Sequence, residues 1–141
     1  MPYIESLVDA AEERLAFELR PSARLKPPKD RARFMAERAL VFSNEQPHLF
    51  QLITRRKASW RAGYDKGERA TLMRDQLARA MNEKQLKKGD VGGVTAALWA
   101  QICGLVALRE RGDLPAGELE LREAWHGTAG RMLSGLSLRA A

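Results

Sequence analysis

Asp90-Val91-Gly92-Gly93-Val94-Thr95-Ala96-Ala97-Leu98-Trp99-Ala100-Gln101-Ile102-Cys103-Gly104-Leu105-Val106-Ala107-Leu108-Arg109-Glu110-Arg111-Gly112 is the stretch whose reading decides the fold. Between Asp90 and Arg109 it carries no charge, and from Val91 to Leu108 its only polar side chains are Thr95 and Gln101. Asp90 reads as an N-cap and Gly112 as a C-terminal stop, so the spacing predicts one long helix. Gly93, Ala97, Ala100, Gly104 and Ala107 fall on one stripe of small residues. Val94, Leu98, Ile102 and Leu105 form a bulky stripe beside it, and Trp99, Cys103 and Val106 a third. A helix apolar on every side has to be surrounded. Its length touches the lower limit for a membrane span, but Gly and Ala insert weakly and charges abut both ends. The expectation is a central helix of a cytoplasmic protein, with no membrane contact.

Working outward, helical spacing recurs and no alternating strand pattern appears. Ile4, Val8, Ala11 and Leu15 mark a first helix from about Pro2 to Arg20, with Pro2 suited to a first helical position. Residues 21–28 read as a linker. Asp30 is expected to cap a helix over about 31–43, with Phe34, Met35, Ala39, Val41 and Phe42 inward, and Asn44 to cap a short one through Ile53. Gly63 and Gly67 interrupt the next stretch. A fourth helix is expected over about 68–86, carrying Leu72, Met73, Leu77, Ala80 and Met81 and stopping at Gly89. After the central helix, a turn at 113–117 leads to a last helix, about 118–136, with Leu121, Trp125, Thr128, Met132 and Leu136 at helical spacing. The expected fold is all-α, about six helices in one domain spanning 1–141.

The 141 residues are 45% hydrophobic, 30% charged and 6% aromatic, which fits a single globular domain with an ordinary core. One Cys and two His exclude an internal disulfide and a Cys/His zinc site within one chain, so neither metal nor cofactor is expected. No signal-peptide pattern opens the chain. The net charge of +6 is unevenly spread: residues 1–53 balance to zero, 54–88 hold +7, and 89–141 hold −1. A near-neutral, apolar C-terminal third suits a packing surface. Pairing the last two helices with those of a second copy gives a four-helix bundle across a two-fold axis. The interface expected for that homodimer is Gly93, Ala97, Ala100, Gly104, Leu121, Trp125, Thr128, Met132 and Leu136.

Leu98-Trp99-Ala100-Gln101-Ile102-Cys103-Gly104-Leu105-Val106-Ala107-Leu108-Arg109 resembles the eighth helix of tetracycline-repressor (TetR) family regulators, in the subgroup with a Trp…His-Gly signature. Trp99 and Gly104 match, and Cys103 stands where that subgroup has His. Phe42-Ser43-Asn44-Glu45-Gln46-Pro47-His48-Leu49-Phe50-Gln51-Leu52-Ile53 resembles the junction of the family's fifth and sixth helices. Tyr3 to Leu19 resembles its fourth helix, and Met132-Leu133-Ser134-Gly135-Leu136 the end of its ninth. The resemblance covers nearly the whole chain, but the family's helix-turn-helix has no counterpart in it. It implies a C-terminal effector-binding and dimerisation domain of a transcriptional regulator. Such a domain would bind no DNA by itself and would hold a small, mostly apolar effector in an internal pocket. The candidate lining is Phe34, Phe50, Trp60, Met73, Leu77, Trp99 and Cys103, residues that equally suit plain core.

Nothing resembles a catalytic set. Lys88-Gly89-Asp90-Val91-Gly92-Gly93 lacks the P-loop and dinucleotide spacings, and no enzyme activity is expected. Cys103, flanked by Ile102 and Gly104, reads as an inert buried thiol. His48 is a candidate hydrogen-bonding group, and His126 an interfacial or exposed one. The alternatives are a nucleic-acid-binding helical protein and a structural dimerisation module without ligand. The first would use Arg55, Arg56, Lys57, Arg61 and Lys66, interleaved with Trp60 and Tyr64, within the basic segment 54–88.

Overall fold

The computed structural model describes residues 2–24, 29–54, 67–113, 123 and 135. Five α-helices follow one another: α1 (Pro2–Leu19), α2 (Lys29–Glu45), α3 (Pro47–Thr54), α4 (Glu68–Asn82) and α5 (Val91–Glu110). A 3-10 turn, Arg20–Arg24, follows α1, and Glu123 and Gly135 are also helical. No strand occurs among the described residues. The fold is all-α, as the periodicity predicts. The sixth helix, and with it Leu121, Trp125, Thr128, Met132 and Leu136, otherwise lies outside the described residues.

The apolar spacing of each helix becomes its buried face. On α1 the buried positions are Val8, Ala11, Glu12, Leu15, Ala16 and Leu19, one stripe at intervals of three and four with a carboxylate inside it. On α2 they include Ala32, Met35, Ala36, Ala39, Leu40 and Phe42. Small Ala side chains let neighbouring backbones come close, and α2 packs on α1, α3, α4 and α5. The surrounded helix is therefore α2, not α5 as the apolar run alone suggests. α5 packs chiefly on α2 and α4, burying Thr95, Leu98, Ile102, Leu105 and Val106. Leu98 and Ile102 are fully covered, worth about 1.5–3 kcal/mol each in apolar burial. Thr95 satisfies its hydroxyl by donating to the Val91 carbonyl, 2.7 Å away, one turn back. By length and composition α5 could cross a membrane; in this fold one of its faces is packed into the core.

Helix ends depart from expectation at three places. Asn44 does not cap α3. It belongs to α2, and its Oδ1 accepts a hydrogen bond from Arg109 at the far end of α5, at 2.8 Å. The same guanidinium lies 3.3 Å from the Ser43 hydroxyl, which donates to the Leu40 carbonyl at 2.6 Å. Only Gln46 separates α2 from α3, and Pro47, which has no N–H to orphan, opens the new helix. Asp30 lies inside the first turn of α2 rather than before it. Part of the expected linker after Pro21 is the 3-10 turn.

The third departure is the end of α4, at Asn82 rather than near residue 86. Lys84 turns left-handed (φ 60°). Its N–H donates to the Met81 carbonyl at 3.1 Å, and the Gln85 N–H reaches back to Ala80 at 2.8 Å. That is a Schellman closure with Lys where Gly is usual. The following Leu86 folds back into the core, 2% exposed. α5 closes the same way at the expected Gly112 (φ 83°), whose N–H donates to Arg109 while Asp113 reaches Leu108. Its start is also as expected, since the Asp90 carboxylate accepts the Gly92 N–H at 3.1 Å.

Candidate functional site

Where α1, α3, α4 and α5 converge, the core contains a charged centre. Arg69, on the first turn of α4, is 1% exposed, and Glu12 of α1 is 2% exposed. The Arg69 Nε donates to Glu12 Oε2 at 3.2 Å. The guanidinium lies flat against the indole of Trp99 on α5, its Cζ 3.7 Å from the ring centroid. Such a stacked cation contributes about 2 kcal/mol when desolvated. Its NH1 also faces the Met73 sulfur, one turn along α4, at 3.8 Å. Phe50 of α3 meets the same indole with ring centroids 5.7 Å apart and planes tilted by 49°. A second buried polar contact lies beside this centre on α2 and α4, with Arg31 donating to Gln76 at 2.9 Å.

The local reason for the Glu12 position lies at Gly67, the N-cap of α4. A Cβ there would stand 3.2–3.3 Å from the Glu12 carboxyl, so the glycine lets the carboxylate approach the helix start. Gly67 offers no side-chain cap of its own. An anion at that end of the helix is favoured by the aligned peptide dipoles. Cys103, one turn from Trp99, feels both charges. Burial pushes its thiol up from 9.0 to about 12, with Arg69 opposing and Glu12 adding to the rise. This thiol is an inert group at neutral pH, not a nucleophile.

Of the seven residues expected to line a pocket, Phe50, Met73, Trp99 and Cys103 are gathered around the Arg69 guanidinium. Leu77 is fully buried in the same core cluster. Phe34 is only partly buried, and no contact among the described residues joins it to the others. Trp60 lies outside the described residues. His48 is exposed on α3. Among the described residues no His/Cys/Asp/Glu cluster could hold a metal.

Sequence reasoning missed Glu12, Arg69, Arg31 and Gln76. The signal was present: Glu12 falls four after Val8 and three before Leu15, and Arg69 four before Met73 and eight before Leu77. A charge at an inward register position means a buried polar contact.

Of the expected dimer face, Gly93, Ala100 and Gly104 are exposed and Ala97 is half-buried. Nothing lies within 4 Å of where a Gly104 Cβ would be. Leu108, on the same side, is 38% exposed. The stripe therefore runs along α5 as an open, uncharged strip. The basic and aromatic residues at 55–66 lie outside the described residues.

No protein-family model and no curated protein matches this chain. A solved structure of a protein of unknown function from Rhodococcus sp. RHA1 is similar, with a TM-score of 0.73 at 15% identity. The match covers 96% of this chain and 73% of that one, so the arrangement of helices described here is shared with a longer natural protein.

Proposed function

We propose that the chain is a ligand-sensing and dimerisation domain of a transcriptional regulator of the TetR type, responding to a small effector with a largely apolar body. The observation that carries this reading is the two-sidedness of α5. Its inner face places Trp99 and Cys103 at the meeting point of four helices. Its outer face presents Gly93, Ala100 and Gly104 to the surface without a charge between Asp90 and Arg109. A helix so built can join an interior site to a two-fold contact, as effector domains require. The order and spacing of α1 to α5 support the reading, since they follow the residues on which the family resemblance rests.

Two measurements test it. Light scattering coupled to size-exclusion chromatography should give twice the chain mass, 31.6 kDa from a 15.8 kDa chain. A thermal-shift screen of small aromatic and aliphatic compounds should raise the midpoint for a subset, because a ligand that binds only the folded state stabilises it by mass action. A monomer that no compound stabilises refutes the proposal.

A further inference from the structure

We infer that the effector is an organic anion, a small molecule with a carboxylate on a flat apolar body, which takes Glu12's place on Arg69. This inference rests on the ligand-sensing reading above and specifies the chemistry of the same site. A buried ion pair is poor evidence of a stabilising device, because apolar replacements of similar volume are often equally stable. The pair at the junction of α1 and α4 therefore calls for another use.

The geometry indicates which use. The guanidinium of Arg69 is a planar donor fork, the group best matched to a carboxylate through two parallel hydrogen bonds. Glu12 engages it through Nε at 3.2 Å, longer than the roughly 2.7–2.9 Å of a good charge-assisted bond. A free carboxylate, not tethered to α1, can align with the fork as Glu12 does not. The apolar part of the ligand has a wall prepared for it in the Trp99 indole, edged by Phe50 and Met73. A displaced Glu12 is not stranded, since its carboxyl already lies against Gly67 at the start of α4, where an anion is favoured. Exchange of one carboxylate for another would release the tie between α1 and α4, which makes the pair the part that responds.

The test compares matched ligands on the full chain. 2-Naphthoate, benzoate and indole-3-acetate are titrated beside their primary amides. Binding is read by calorimetry and by Trp99 fluorescence in a Trp60→Phe, Trp125→Phe background. The carboxylates should bind at least about tenfold more tightly than the amides, since a site built for one polar group rejects the analogue lacking it. That preference should vanish in the Glu12→Gln, Arg69→Met double variant, which keeps the volume and removes both charges. Amides binding as well as the acids, or a preference surviving in the double variant, overturns the anion inference and leaves ligand sensing intact. No binding by either series overturns both.

Discussion

Arg69→Met removes the guanidinium and leaves the Glu12 carboxylate buried without its counter-ion. At the 3.2 Å separation seen, the attraction lost is about 5 kcal/mol for an effective dielectric of 20. Loss of the stacked cation on Trp99 adds about 2 kcal/mol. Relief of the cost of desolvating Arg69 itself, several kcal/mol, offsets part of this. The net destabilisation expected is about 3–5 kcal/mol, the range seen when one partner of a buried pair is removed. Glu12→Leu should cost a similar amount, leaving a buried cation. The double variant, with Leu against Met, should recover to within about 2 kcal/mol of the parent, giving a coupling of at least about 3 kcal/mol. Urea unfolding followed by far-ultraviolet circular dichroism at one fixed protein concentration measures all four proteins. Two single costs that add to within about 0.5 kcal/mol in the double variant would show that the pair is not coupled, and the electrostatic account of this core would fail.

Other substitutions probe separate parts of the fold. Gly104→Arg meets no atom within 4 Å in the chain itself, so the variant should fold normally yet elute as a monomer in light scattering; a dimer of unchanged mass refutes the α5 contact. Lys84→Gly relieves the left-handed backbone at the end of α4 and should raise stability by about 0.5–1 kcal/mol in urea unfolding. Asp90→Ala deletes the cap on the Gly92 N–H and should lower stability by about 1 kcal/mol in the same assay. Cys103, with its thiol raised from 9.0 to about 12, should react with iodoacetamide at pH 8 about a thousandfold more slowly in the folded chain than in urea. The raised thiol also gives a pH dependence. The folded state keeps the proton that the unfolded state loses, so this contribution is complete below about pH 9 and falls away as pH rises towards 12.

The helical class was legible because apolar spacing survives whatever the tertiary arrangement. Val8, Ala11 and Leu15, or Met73, Leu77 and Ala80, face inward as their intervals require. The centre of the bundle was not legible in the same way. Hydropathy pointed to α5, yet α2 touches every other helix, because Ala32, Ala36 and Ala39 allow approach from several sides while contributing little to an apolar average. Gly112 announced the end of α5, whereas the end of α4 was hidden, since nothing about Lys84 marks a left-handed residue; the carbonyls of Ala80 and Met81 and the burial of Leu86 decide it. Of the candidate site, the aromatic and sulfur-bearing members were found by their positions on apolar stripes. Glu12 and Arg69 lie 57 residues apart, and a pairing at that distance depends on how α1 and α4 dock.

That separation has a bearing on how the chain folds. α1 can lie down on α2 and α3 early, using nearby sequence, but doing so covers a carboxylate whose counter-charge is 57 residues downstream. Until α4 forms and delivers Arg69, burying Glu12 is uphill, so an early three-helix intermediate is held open at this corner. The slow step should then be the closing of a long chain loop, a high contact order for an all-helical protein. On the ribosome the first helix would wait for the fourth to emerge before its inner face could seal.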